Sequence, residues 1–383
     1  MQFVQTEEQR LAREAFSRFC ETRIRPLTDP HVDGVLDKAT VLELLSMLAP
    51  FGIGNGWIPE EVGGAGIDFV TSGLLYEELN RVSPEIAGIC MINESTALLL
   101  HHVGSPAMKE RYLKGLLEGR LIACSGFTEP GVGSNVRAVT TRASRRPDGG
   151  WRIKGQKAFI TNGTLSDFLV ALARTGQEGE LSMFMVDREE HGYAATKIQT
   201  LGLNSWGTAQ IFLDDVDVPS DNLIGREGAG LSQTLKLFQH SRCFVALEAI
   251  GIAQAALDAA MDYAKQREQF GKSIARHQLV QAMIADMATE LDAARLLAYR
   301  GLDLVERDVR CDAETAMAKK YATEAAVRIT SNAIQIHGNV GLSSSSAVER
   351  HFRNARMLTI PEGTTQILQL VIGRTLLGVS AFA

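Results

Sequence analysis

Behind Thr6 and Gln9, which match a capping-box pattern, Leu11, Ala15 and Phe19 recur at helical spacing, so the chain is expected to open on an amphipathic helix. Leu74, Leu75 and Leu79 give the run over 71–81 an apolar face of the same period, and the glycine-rich break over 58–66 before it reads as tight backbone passage. From Ile122 the texture changes. Short β-rich runs at 168–173, 181–186 and 210–218 stand between Gly, Asn, Asp and Pro, and predict a small β domain that ends near Pro219 and the glycines of 225–230. Helical spacing then returns: an alanine-rich run over 243–266, a helix from Gln278 with Val280, Ile284, Met287, Leu291, Ala294 and Ala298 on one stripe, a third helix over about 313–337, and a last one over 367–377 that completes a bundle. The pattern predicts an α+β multidomain chain: helices over 1–121, a β-barrel or sandwich over 122–229, and a four-helix bundle over 230–383.

Composition adds mainly exclusions. With 383 residues, 45% hydrophobic and 22% charged, the chain is long enough for two or three domains with a large core. A formal charge of -6 offers no basic surface for a phosphate backbone, so a nucleic-acid partner is not expected. The first residues show no basic-then-apolar leader, and uninterrupted apolar runs stay short of a span, so a cytoplasmic protein without membrane insertion is expected. Five cysteines, far apart and without CxxC, point to reduced structural thiols and to neither disulfides nor a metal site.

Candidate chemistry lies in three stretches. In 124–135 a β-like run gives way to Gly, Pro and Ser, whose free amides and hydroxyls suit a phosphate or the edge of a heterocycle; the GxGxxG nicotinamide fingerprint is absent. In 155–163, Phe159 stands two residues from Thr161, which on a regular strand places ring and hydroxyl on one face. In 358–366, Glu362 sits between Pro361 and Gly363 at the entrance of the last helix, with Thr364 and Thr365 as caps; a base held there is open to close approach by a ligand. His240 is a lone helical histidine and reads as structural.

Seven stretches in order, IPEEVGGAGID (58–68), FTEPGVGSN (127–135), GQKAFITNG (155–163), DVDVPSDNLIG (215–225), REQFGKSI (267–274), QIHGNVG (335–341) and PEGTTQI (361–367), resemble the acyl-CoA dehydrogenase family nearly end to end. The resemblance implies FAD as cofactor and a homo-oligomer, commonly a homotetramer built as a dimer of dimers. It further implies an acyl thioester substrate and an electron-transfer flavoprotein as electron acceptor. Carried onto this chain, it places Phe127, Thr128, Phe159 and Thr161 around the isoalloxazine and Ser134 beside cofactor and thioester arm. Arg267, Gln269, Phe270, Gln335, Gly338 and Asn339 fall to the flavin of a neighbouring subunit, while Thr364 and Gln366 fall to the chain's own. Gln239, Arg242 and Gly363 lie on the substrate side, and Glu362 is the base that removes the α-proton.

Departures narrow the substrate reading. Pro361 stands where the family usually has tyrosine, Asn135 where it has aspartate, Asn339 where it has the second glycine of a pair, and Gln239 where many members carry aspartate. Ser241 occupies the position from which some branched-acyl members supply the base. Pro361 and Gln239 motivate an alternative, the same chemistry on an acyl group tethered to an acyl carrier protein. A second alternative is a flavin-binding protein without dehydrogenase activity, or an oxygen-using relative.

Overall fold

The computed structural model describes residues 5–176 and 180–382, with helices, then a sheet, then helices along the chain. Helix α1 (Glu7–Phe19) starts on the expected capping box: Thr6 Oγ1 accepts from the Gln9 amide and Gln9 Oε1 accepts from the Thr6 amide. Its buried face is not the Leu11 stripe. Leu11 is 51% exposed, whereas Phe16 and Cys20 enter the core. The rotation has a polar cause: Arg13, on the inner side, reaches Glu77 and Glu78 of α3 (Phe69–Val82), while Phe16 and Phe19 pack on Phe51. Helices α2 (Lys38–Leu48) and α3 each begin on an aspartate cap, Asp37 and Asp68, and α4 (Pro84–Val103) follows with proline in its first turn.

Among the described residues the sheet holds eight strands: β1 (Ala123–Gly126), β2 (Arg142–Arg145), β3 (Trp151–Ile160), β4 (Phe168–Arg174), β5 (Leu181–Asp187), β6 (Ala194–Lys197), β7 (Ala209–Val218) and β8 (Leu223–Ile224). Two halves, β6-β7-β3-β2 and β4-β5-β8 with β1 parallel to β4, meet among the described residues only at the single pair Arg142–Arg174. They close over a shared core in which Trp151 of β3 meets Phe184 of β5 edge-on at 5.1 Å. Strand alternation explains how this domain joins the helices. Leu169, Ala171 and Ala173 face that inner core, while Phe168, Val170 and Leu172 on the other side of β4 join the helical core.

The C-terminal part is built from α5 (Gly230–Gln266), α6 (Gln278–Glu306), α7 (Asp312–His337), α8 (Ala347–Leu358) and α9 (Thr365–Leu377). Helices α5, α6 and α7 pack on one another, α8 closes against α5 and α7, and α9 lies along α7. The expected fourth helix, α9, is thus joined by α8, an amphipathic helix outside the expected four that buries Val348, His351, Ala355 and Leu358 on one face. Helix α5 also packs against α3 and α4, at one point through Gly251, where an added Cβ would come within 2.7 Å of the Glu77 carbonyl oxygen. Both α4 and α5 reach the length and hydropathy of a membrane span, contrary to the reading from uninterrupted apolar runs; 72% and 78% of their apolar windows are buried inside the fold, as suits core helices.

Candidate active site

Glu362 is held in a turn between α8 and α9, in the left-handed region at φ +56°, with Gly363 after it at φ +99°. For a residue with a Cβ that conformation costs on the order of 1–3 kcal/mol and persists only where the surroundings impose it. Here they do. Arg242 Nε of α5 donates to the Glu362 carbonyl at 3.3 Å, and Lys319 Nζ of α7 donates to the Gly363 carbonyl at 2.8 Å. Thr364 Oγ1 caps α9 by accepting from the Ile367 amide. The side chain is aimed as well, since Ser241 Oγ donates to Glu362 Oε2 at 2.6 Å. Burial pushes the Glu362 carboxyl above the usual carboxylate range; the Ser241 hydrogen bond, Arg242 and Lys319 oppose it. The Glu362 backbone N–H has no acceptor among the described residues.

One turn of α5 connects this carboxylate to the sheet. The Phe238 ring lies edge-on to Phe127 at 6.0 Å, and the Arg242 guanidinium stands over the same ring at 5.7 Å. Gln239 accepts a long contact from Cys311 Sγ at 3.8 Å, which ties its side chain to the start of α7. His240 packs beside Trp57 and Phe69, and burial, with Lys236 and His102 nearby, holds its pKa down to about 4; it is a neutral aromatic wall at physiological pH.

The loop after β1 is clamped from beneath. Glu129, buried, accepts from Lys157 Nζ at 2.9 Å and from the backbone amides and hydroxyls of Thr140 and Thr141. Lys157 also donates to the Leu172 carbonyl, and the Ala158 amide donates to the Thr128 carbonyl. This brings Phe127 and Thr128 beside the end of β3. There the alternation expected for Phe159 and Thr161 breaks down. A register irregularity falls between Lys157 and Ile160, Phe159 takes φ +57°, and Thr161 lies beyond the last strand residue. The two therefore do not share a regular strand face; the bulge turns the Phe159 ring out, leaving it 64% exposed. An outturned ring on a strained backbone, with partly exposed threonines on either side, fits the planar ring system of a flavin. Gly131 and Gly133, where an added Cβ would meet nothing within 4 Å, leave the loop open to a large group, and Ser134 is exposed on it.

The remaining candidates divide in two. Thr364 and Gln366 open α9 beside Glu362. Arg267, Gln269 and Phe270 instead follow the far end of α5 on a short ribbon, with Phe270 93% exposed at φ +54°. Gln335, Gly338 and Asn339 are exposed at the end of α7, and Tyr263 stacked on His337 at 4.3 Å brings the two groups to one outer surface. From Arg242 to Arg267 the helix rises roughly 35–40 Å at 1.5 Å per residue, so this set stands away from the Glu362 of its own chain. Lys319, the Glu129–Lys157 pair and Phe238 were not singled out by sequence reasoning. For Lys319 a signal existed: it shares a helical stripe with the buried Ala316, Thr323, Ala326 and Thr330, where a lysine is out of place.

Models for the N-terminal, middle and C-terminal domains of acyl-CoA dehydrogenase match residues 6–120, 124–216 and 228–377. The chain is 36% identical over 380 residues to cyclohex-1-ene-1-carbonyl-CoA dehydrogenase of Syntrophus aciditrophicus, covering 97% of this chain and 90% of that protein. It is 37% identical over 382 residues to the caffeyl-CoA reductase-Etf complex subunit CarC of Acetobacterium woodii, covering 97% and 99%. The solved structure of butyryl-CoA dehydrogenase from Megasphaera elsdenii superposes with a TM-score of 0.93 at 32% identity, covering 98% of this chain and all of that one. With all three domains matched in order on the fold described, the chain belongs to the acyl-CoA dehydrogenase family of FAD-dependent oxidoreductases.

Proposed function

We propose that the protein interconverts a saturated acyl-CoA thioester and its α,β-unsaturated counterpart, with Glu362 as the base. The observation that carries this is Glu362 itself: a carboxylate of raised pKa, fixed by Ser241 through Oε2, in a turn whose backbone N–H is unengaged among the described residues. In the oxidative direction the α C–H bond breaks toward the carboxylate, its electron pair becomes the new double bond, and the β-hydrogen leaves with the electrons of its own bond. Phe127, Thr128, Phe159, Thr161, Thr364 and Gln366 would hold FAD, which when bound would supply the acceptor for that hydride. In this reading the Glu362 N–H would donate to a thioester oxygen as negative charge grows there, which acidifies the α-carbon. Raising the pKa of a carboxylate brings it closer to its task, since a stronger base draws a carbon-bound proton more readily. By microscopic reversibility the same carboxyl, once protonated, returns a proton in the reductive direction. The name of the Acetobacterium relative supports an electron-transfer flavoprotein as redox partner. The exposed Phe270 ribbon supports a homo-oligomer in which one subunit completes its neighbour's flavin site.

The test is anaerobic mixing of the FAD-loaded enzyme with a panel of acyl-CoAs and acyl carrier protein thioesters, following loss of flavin colour. Glu362→Gln is expected to keep FAD and substrate binding while reduction slows about 10⁴-fold or more, at or beyond the upper end for general-base catalysis. A Gln variant within tenfold of the parent would move the base elsewhere. Faster bleaching with carrier-protein thioesters would assign the tethered substrate.

A further inference from the structure

Lys319 is fully buried in α7, on the face turned toward α5, and its ammonium leaves that helix to meet the turn that carries Glu362. Thr323 and Thr330, on the same stripe, return their hydroxyls to α7's own carbonyls, so they add no reach beyond the helix. Burying an ammonium costs several kcal/mol, and a methionine would fill similar volume without that cost. The lysine's distinctive contact is the 2.8 Å hydrogen bond to the Gly363 carbonyl. The preceding carbonyl, that of Glu362, is taken by Arg242. Two cations from two helices thus hold two consecutive carbonyls around a non-glycine residue at φ +56°, the backbone angle that directs the Glu362 side chain to Ser241.

We propose that Lys319 is the positioning residue of the Glu362 base: through the Gly363 carbonyl it locks the turn, and its charge sets the pH at which Glu362 becomes able to accept a proton. This rests on the reading of Glu362 as base. The charged groups facing the pair are Arg242 from α5, Glu324 from α7 and, around Arg242, Asp312 and Arg374. Burial lowers the Lys319 pKa to about 7, with Glu362 opposing; in return Lys319 helps hold the Glu362 pKa down against burial.

The experiment compares Lys319→Met, Lys319→Gln and the parent, each loaded with FAD, by anaerobic flavin reduction from pH 5 to 9. Lys319→Met is expected to reduce its flavin about 10- to 100-fold more slowly with KM within a few-fold. The acid limb of its rate profile should move to higher pH, because a base that has lost a neighbouring cation holds its proton longer. Lys319→Gln keeps a donor for the carbonyl without the charge, so its acid limb should move while its rate falls less. A limb that stays put in Lys319→Gln overturns the proposal, and this variant carries the test if the methionine variant fails to hold FAD. A second readout needs no turnover. A lysine at about 7 in the fold and 10.5 when unfolded binds fewer protons in the native state between those values, so it makes stability rise with pH there. That share of the rise should vanish in Lys319→Met, and an unchanged profile would also overturn the proposal. If Glu362→Gln retains reduction, the function reading falls. If that variant is inactive but the Lys319 variants match the parent, only this inference falls.

Discussion

Replacing Glu129 by Gln keeps the shape of the clamp under the loop after β1 and removes its charge. In the folded protein Glu129 has a pKa of about 2 against an ordinary 4.5; burial alone would raise it, but hydrogen bonds from Lys157, Thr140 and Thr141 outweigh that. A gap of about 2.5 units corresponds to roughly 3 kcal/mol of stability at neutral pH. The upper bound comes from the partner. Lys157, with no side-chain exposure and already lowered to about 8 by burial, would lose its counter-charge and shed its proton; neutralising a lysine of ordinary pKa 10.5 at pH 7 costs about 5 kcal/mol. The expected loss is therefore about 3–5 kcal/mol, the range found on breaking buried ion pairs, with a fall in Tm on the order of 4–6 °C if the 383-residue chain unfolds as one unit. Urea unfolding followed by circular dichroism measures it, and gel filtration shows whether FAD leaves with the loosened loop. The pH dependence has a definite sign. Because the folded pKa is depressed, the Glu129 contribution is fully present above about pH 4.5 and is lost as pH falls toward 2. Glu129→Gln should lack that component of acid sensitivity. Glu129→Gln combined with Lys157→Met leaves no unpaired charge and should recover more than half of the loss. A single variant within about 1 kcal/mol of the parent, or a double variant no more stable than the single, would refute the reasoning.

Ser241→Ala removes the 2.6 Å donor to Glu362, so the carboxyl pKa should rise further and the acid limb of flavin reduction move to higher pH, with FAD content unchanged; stopped-flow reduction across pH checks both. Phe270→Ala removes an aromatic ring that is 93% exposed in the single chain; gel filtration with light scattering and an FAD titration should show weaker assembly, weaker FAD retention or both, and a variant identical to the parent in each would remove Phe270 from the subunit contact.

Much of the fold was legible because it depends on local periodicity. The capping box at Thr6, the strands near 168, 181 and 210 and the stripe ending in Met287, Leu291, Ala294 and Ala298 are patterns of period 3.6 or 2 backed by propensity, and each appears as a helix or strand. Glu362 stood out for the same local reason, a carboxylate between proline and glycine before a capped helix. What the sequence alone left undecided was which side chains meet across elements. The Leu11 stripe failed because Arg13 finds Glu77 and Glu78 more than sixty residues away, and the shared face of Phe159 and Thr161 failed because a bulge interrupts β3. Lys319 looked like one more charged residue in an alanine-rich helix, and Glu129 and Lys157 like two unrelated charges. Their partners are 44 and 28 positions apart in the chain, and only packing of α7 against the turn at Glu362, and of the β1 loop against β3, creates the low-dielectric sites in which those charges acquire shifted pKa values and hold the site's turns.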